Sequence, residues 1–157
     1  MVDRDKVQGL LERLRRYTDY LQDIAQTEHD AFVSDPHAIG SARYYLQISI
    51  ETCIAIGNHI IAAEQLRTPR DYKDIFRVLD EAGVLSGELS MTMRELAGLR
   101  NMLVHVYAEV DDELLFSGIR TDLADFDAFA RAVCAFLTRA NCEGTGSQVA
   151  PPTDKPR

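Results

Sequence analysis

One short stretch of the sequence gathers the side chains best suited to chemistry on a phosphate. It holds Arg100, Asn101, His105 and Tyr107 within eight residues, among apolar neighbours. A histidine can transfer protons near neutral pH, and the guanidinium fork of an arginine can hold two phosphate oxygens. An asparagine amide can orient an imidazole, and a phenol can accept a covalent group. The stretch therefore contains the groups needed for acid–base chemistry beside a bound anion.

Helical geometry distributes these groups over more than one face. Asn101 and His105 are one turn apart on the same face, whereas the step from Arg100 to His105 turns about 140° around the axis. A two-fold dimer axis beside this helix would bring a second arginine and histidine opposite the first pair. Spacing alone favours a plainer interpretation, in which His105 is a structural or interfacial residue. Arg100 would then be a surface charge near Glu88 or Glu95.

The rest of the chain has the pattern of helix almost throughout, because apolar residues recur at three- and four-residue spacing. Asp3 and Asp35 are predicted to cap the first two long helices, Gly83 to end a shorter one, and Thr121 to cap the last. The polar residues 27–34 are predicted to be a break between helices. The predicted helices span residues 4–25, 36–64, 72–81, 88–108 and from 121 onward, with a short separate segment at 112–117.

Long amphipathic helices joined by short loops bury their apolar stripes most simply as an antiparallel bundle of four to five helices. No stretch of comparable length alternates with the period of a strand, so a sheet has little support. We expect one all-α domain over residues 1–142. Residues 143–157 are rich in Gly, Ser, Thr and Pro and are predicted to form a disordered C-terminal tail.

Composition excludes several classes of protein. The chain has 157 residues, 46% of them hydrophobic and 27% charged, which suits one globular domain. Its apolar stretches are interrupted before the roughly 20 residues that a membrane span requires, and its charged N-terminus lacks a secretory pattern. The three cysteines form no C-x-x-C pair, which indicates reduced thiols and a cytoplasmic protein.

Charge limits the ways in which this chain can bind nucleic acid. The formal net charge is −8, so any binding to phosphates must be local. The acidic run over residues 109–127 is predicted to be a solvated face rather than a docking surface for a basic partner. Eight basic residues outside the motif are candidates for a local basic patch: Arg13, Arg15, Arg16, Arg43, Arg67, Arg70, Lys73 and Arg77.

The other histidines are weaker candidates for a site. His29 and His37 lie in or beside a polar loop and are predicted to be solvated rather than metal ligands. His59 lies on the second long helix with Asn58 and Glu51. These three residues either fix the register of the helices as a buried polar network or contribute to a cleft.

The motif resembles the signature of a known family. The string Arg100-x4-His105-x-Tyr107, with Asn101 after the arginine, is similar to that of the HepT-like group of HEPN-domain toxins. Residues 44–62 also resemble the second helix of that group. As helix order and length, the resemblance extends over roughly residues 1–140, and it identifies the fold as HEPN-like.

This resemblance implies a metal-independent endoribonuclease that acts as the toxin of a type II- or type VII-like toxin–antitoxin pair. It assigns catalysis to Arg100 and His105 in a cleft between two chains, support to Asn101, and modification to Tyr107. In such families the antitoxin is a small nucleotidyltransferase that silences the toxin by attaching AMP to the motif tyrosine. The expected partners are a second copy, this antitoxin and an RNA substrate, with no cofactor, metal or membrane.

Two other functions fit the same sequence. In one, the chain is a helical binding module that pairs with a nucleotidyltransferase and cuts nothing. In the other, it is a structural bundle whose motif only packs a homodimer. An RNA-cleavage assay separates both from the nuclease hypothesis.

Overall fold

The computed structural model describes residues 1–105 and 110–144, and for residues 141–144 it describes the backbone alone. Within these ranges the secondary structure is all helical. The helices are α1 (Arg4–Ala25), α2 (His29–Val33), α3 (Pro36–Ala63), α4 (Tyr72–Glu81), α5 (Gly87–Val104) and α6 (Asp112–Gly144). The predicted all-α bundle is confirmed, with five longer helices and the single-turn α2. The predicted tail lies outside the described residues except for 143 and 144, whose backbone belongs to α6.

Side-chain caps begin four of the five longer helices where the sequence predicts a start. Asp3 accepts a hydrogen bond from the Lys6 N–H, and Asp35 accepts one from the His37 N–H. Asp71 caps α4 and Ser86 caps α5 in the same way. Gly83, with φ of 72°, follows α4, as predicted for a residue that must adopt a left-handed conformation.

Three boundaries differ from the sequence prediction. Residues 29–33 of the predicted polar break form α2, because Phe32 is buried against the bundle. α5 ends at Val104 rather than near 108. Thr121 does not cap a helix: its hydroxyl donates to the Ser117 carbonyl inside a continuous α6. The predicted break at 118–120 does not occur, because Ile119 is fully buried and continues the apolar face of α6.

α3 is the central helix of the bundle, and each of the other five helices packs against it. Gly57 lets α4 approach closely, since a Cβ atom there would lie 2.6 Å from Cγ2 of Ile75. Among the described helices, α3 alone has the length and hydropathy of a membrane span, but 56% of its most apolar window is buried inside the protein. Its apolar side chains therefore form the core of the bundle.

Candidate active site

The last turn of α5 positions the motif residues. His105 is the C-cap residue, in an extended conformation, and its backbone N–H donates to the Asn101 carbonyl at 3.2 Å. This bond places Asn101 and His105 one turn apart along the same side of α5, as their spacing predicts. The imidazole of His105 is exposed at the end of the helix, where a substrate can reach it.

Arg100 is held by groups from three helices. Its Nε and Nη2 lie 3.1 Å and 3.0 Å from Oε1 of Glu51 on α3. Its guanidinium carbon lies 5.0 Å from the centre of the Tyr72 ring, a cation–π contact with the first residue of α4. Its Nη1 also donates to Oδ1 of the neighbouring Asn101 at 3.4 Å. Only 20% of the Arg100 side chain is exposed, so the guanidinium is fixed rather than free in solvent.

The partner of Arg100 corrects one part of the sequence interpretation. Neither Glu88 nor Glu95 pairs with it; the ion pair is with Glu51, 49 positions away in the chain. Gln47, one turn before Glu51 on α3, donates to the same carboxylate oxygen at 3.1 Å. Gln47 and Glu51 on the polar side of α3 therefore orient the motif arginine. For Glu51 this is the contribution to a cleft, one of the two roles that the sequence left open.

His59 has the other of the two roles that the sequence left open, which is to fix one helix against another. Its Nε2 accepts a hydrogen bond from the backbone N–H of Asp3 at 3.1 Å, at the start of α1. Eight residues separate His59 from Glu51, which is about 12 Å along a helix. His59 therefore fixes the position of α1 on α3 and lies away from the motif.

Arg100 and His105 are not joined within one chain. In the described residues no hydrogen bond links their side chains, because the guanidinium is turned toward α3 and α4 while the imidazole stands at the end of α5. Tyr107, the predicted modification site, lies outside the described residues. Tyr72 was not anticipated as a site residue, since nothing in its local sequence distinguishes it from other residues that begin a helix.

Exposed apolar side chains lie around the end of α5. Met102 is 49% exposed, Val104 38% and Leu114, on the first turn of α6, 70%. Met102 and Leu114 also line a pocket of about 210 Å³ between α3, α5 and α6, together with Val110. An exposed apolar surface beside a charged site is typical of a face that another protein chain covers.

The eight candidate basic residues do not form one patch. Arg43 is used structurally: its Nη2 donates to the Val110 carbonyl at 2.7 Å and to Asp112 at 2.8 Å, which anchors the start of α6. Arg67 forms a paired network with Asp74 and Glu81. Three others lie on α1, whereas Arg70, Lys73 and Arg77 share a groove between α4 and α5.

His29 contacts two residues of α6. His29 lies 3.8 Å from Glu113 and packs edge-on to Phe116, which ties α2 to α6. In the described ranges, no three His, Cys, Asp or Glu side chains are grouped to hold a metal ion.

The part of the acidic run that is described is not one solvated face, because Asp112 pairs with Arg43 and Asp122 is half-buried.

Asp122 gives the bundle a pH-dependent stability. Burial, and the nearby Asp125 carboxylate, raise the pKa of Asp122 from its ordinary 3.8 to about 6. The folded state therefore binds this proton more tightly than the unfolded chain, and stability falls as pH rises from about 4 to about 6. We expect Asp122→Asn to be more stable than the wild type by about 1–2 kcal/mol above pH 7, once solvent screening is allowed for.

Urea unfolding at a series of pH values checks this expectation. The advantage of Asp122→Asn should shrink toward zero below about pH 4, where the wild-type carboxyl is neutral in both states. Asp19→Asn, which changes an exposed carboxylate in the middle of α1, should show no such pH dependence. A constant advantage across the whole range would mean that ionisation of Asp122 is not the cause.

Sequence comparison identifies the family to which this fold and motif belong. A family model described as Ribonuclease HepT-like matches residues 10–133, most of the chain. The chain belongs to the HepT-like ribonuclease family. The resemblance seen in the motif and in residues 44–62 is thereby confirmed, and the HepT-like match includes α5 with Arg100 and His105.

Characterised HepT-like proteins are similar to this chain over most of their length. It is 28% identical over 131 residues to the mRNA nuclease HepT of Shewanella oneidensis, covering 83% of this chain and 95% of that protein. It is 26% identical over 133 residues to the tRNA nuclease HepT of Aphanizomenon flos-aquae, covering 83% and 89%. A solved structure of a tri-AMPylated Shewanella oneidensis HEPN toxin in complex with MNT antitoxin matches with a TM-score of 0.79 and 27% identity, covering 85% and 99%.

Proposed function

We propose that this protein is a metal-independent endoribonuclease and the toxin of a toxin–antitoxin pair. The observation that carries the proposal is the fixed Arg100, held by Glu51 and Tyr72 on the helix that ends at the exposed His105, in a chain of the HepT-like family. A partly buried ion pair and a ring contact orient the guanidinium before any substrate arrives, and such preorganisation favours catalysis on a charged group. The two HepT relatives named above are both nucleases, of mRNA and of tRNA.

The proposed reaction is transfer within the RNA strand. His105 accepts the proton of a ribose 2′-hydroxyl, whose oxygen attacks the adjacent phosphorus. The bond from phosphorus to the 5′-oxygen of the next nucleotide breaks, and a second imidazole donates a proton to that leaving oxygen. Arg100 stabilises the extra charge on the phosphate oxygens, while Asn101 supports the geometry. The products are a 2′,3′-cyclic phosphate and a free 5′-hydroxyl.

A homodimer supplies the second imidazole in this scheme. Arg100 and His105 do not meet within one described chain, so an isologous pair of chains would complete the cleft with one set of groups from each. The exposed Met102, Val104 and Leu114 next to the motif provide the apolar surface that such an interface needs.

The proposed antitoxin is a small nucleotidyltransferase that modifies Tyr107. The tyrosine oxygen attacks the α-phosphorus of ATP and releases its proton to solvent; an ester bond to AMP forms, the bond from the α-phosphorus to the bridging oxygen breaks, and pyrophosphate leaves with that electron pair. The added phosphate introduces bulk and negative charge two residues after His105 in the chain, which would oppose binding of the substrate phosphate. The similar structure of an AMPylated HEPN toxin with MNT antitoxin supports this assignment. The proposed location of both proteins is the cytoplasm.

Cleavage of a mixed RNA substrate by the purified protein tests the proposed function. We expect the same rate with and without excess EDTA, and a 2′,3′-cyclic phosphate at the new 3′ end, because the histidine and arginine side chains provide the acid, base and cation. Absence of cleavage by a folded protein would instead support a binding module. A rate that depends on added divalent metal would overturn metal independence. Intact-mass analysis after co-expression with the antitoxin should show added AMP, and Tyr107→Phe should remove it.

A further inference from the structure

A basic groove between α4 and α5 has no role in the scheme above. We call it the α4–α5 groove; it encloses about 460 Å³ and is open to solvent. Its lining consists mainly of charged side chains from the start of α4 and the middle of α5: Arg70, Asp71, Lys73, Asp74, Arg77, Met91, Arg94 and Glu95.

The cations of the α4–α5 groove are available to a ligand. Lys73 and Arg77 are four residues apart on α4 and share one face of it, and Arg70, in the turn before α4, lines the same groove. Arg94 faces them from α5, and its Nε donates to the Ser90 carbonyl at 3.4 Å. Among the side chains described, those of residues 1–105 and 110–140, none of these four cations forms an ion pair.

The carboxylates of the groove are mostly engaged elsewhere. Arg67 binds both oxygens of Asp74 at 2.7 Å and 2.9 Å and holds the pKa of that carboxyl far below its ordinary value. Asp71 accepts the hydrogen bond that caps α4. Glu95 is exposed, and its charge also contributes to a raised pKa of Asp125 on α6. The lining therefore holds four cations against three carboxylates, one of which, Asp74, is paired with Arg67, so the groove is locally basic in a chain of net charge −8.

The groove lies next to residues that contact the motif arginine and its helix. A Cβ atom on Gly98 would lie 3.1 Å from Cε and 3.3 Å from Nζ of Lys73, so the lysine lies across α5 just before the motif. The residue preceding Lys73 is Tyr72, whose ring contacts Arg100. From Arg94 to Arg100 the rise along α5 is about 9 Å. Lys73 therefore connects the groove to the part of α5 that carries Arg100.

We propose that the α4–α5 groove binds the sugar–phosphate backbone of single-stranded RNA on one side of the cleaved bond. This inference rests on the proposed function and names the surface that holds its substrate. Flexible lysine and arginine side chains in an open groove suit a backbone whose charge repeats regularly, with little dependence on base sequence. An acidic protein surface would meet the same cations, but the position of Lys73 against Gly98, two residues before Arg100, favours the substrate strand.

Charge-neutralising variants of the groove test this proposal. In Lys73→Gln, Arg77→Gln and the double variant, we expect KM for a single-stranded RNA to rise about threefold to tenfold for each cation removed, with little change in kcat. The slope of log affinity against log salt concentration should become shallower by about 0.7 for each cation. Arg13→Gln is the matched control, because it removes one exposed charge from α1, which packs on α3 and α6 rather than on the groove.

Binding measured separately from cleavage distinguishes failure of this inference from failure of the proposed function. Fluorescence anisotropy with a labelled RNA and the His105→Ala background reports binding without cutting. If the wild type cuts RNA but the groove variants keep its affinity and salt slope, the groove proposal is wrong and the nuclease assignment stands. If the wild type cuts nothing but the variants lose RNA affinity, the groove proposal is supported and the nuclease assignment is wrong. Loss of antitoxin co-purification with unchanged RNA affinity would assign the groove to the partner and overturn the proposal.

Discussion

Replacing His105 with alanine is expected to slow RNA cleavage by about two to four powers of ten. The reason is that the imidazole is the one group of the motif that can carry protons near neutral pH, while Arg100 remains charged throughout. Growth inhibition by the expressed protein should disappear together with the cleavage. Single-turnover cleavage of a labelled RNA and colony counts after induction measure the two effects.

The fold of His105→Ala should be unchanged, which makes this substitution a clean test. The His105 side chain is exposed. The one described hydrogen bond of this residue is donated by its backbone N–H, which alanine retains. The expected change in unfolding free energy is within about 0.5 kcal/mol. His37→Ala, at another exposed histidine, is the matched control and should leave cleavage intact. An active His105→Ala protein would contradict the assignment of the imidazole to proton transfer.

Replacing Arg100 with alanine is expected to lower kcat by about a hundred- to a thousandfold, as for the loss of one preorganised donor to a charged transition state. Arg100→Lys should recover little of this loss. A lysine ammonium cannot bind the Glu51 carboxylate and a phosphate with the planar fork that arginine uses. Arg131→Ala is the control, because it removes an exposed arginine paired with Asp127 on the same helix. Equal activity of the alanine and wild-type proteins would exclude Arg100 from the reaction.

Glu51 extends this prediction to a positioning residue. It contacts Arg100 rather than the substrate, so Glu51→Ala should lower kcat by about tenfold and change KM less. In the Arg100→Ala background the same change should have almost no further effect, because the group that Glu51 positions is already absent. Additive losses in the double variant would show that Glu51 acts on cleavage by another route.

The helical elements were predictable because their signals are local. Asp3, Asp35 and Asp71 cap helices through hydrogen bonds to N–H groups two or three residues later, so their positions can be read directly from the chain. The motif was also visible, because Arg100 and His105 lie within one turn and a half of the same segment. Local patterns gave a wrong prediction where packing overrides them. Thr121 was predicted to cap a helix, but α6 continues through it because the apolar face of α6 is buried there.

Local patterns in the sequence were enough to predict the helical bundle, the family and the residues with suitable chemistry. How those residues are used depends on the packing of the helices: which acid holds Arg100, that His59 belongs to the α1 contact, and which cations face one groove. Each of these outcomes depends on how one helix is rotated and placed against another. That rotation is set by many apolar contacts acting together, for example the close contact of Ile75 on α4 with Gly57 on α3. No local pattern in the sequence therefore encodes it.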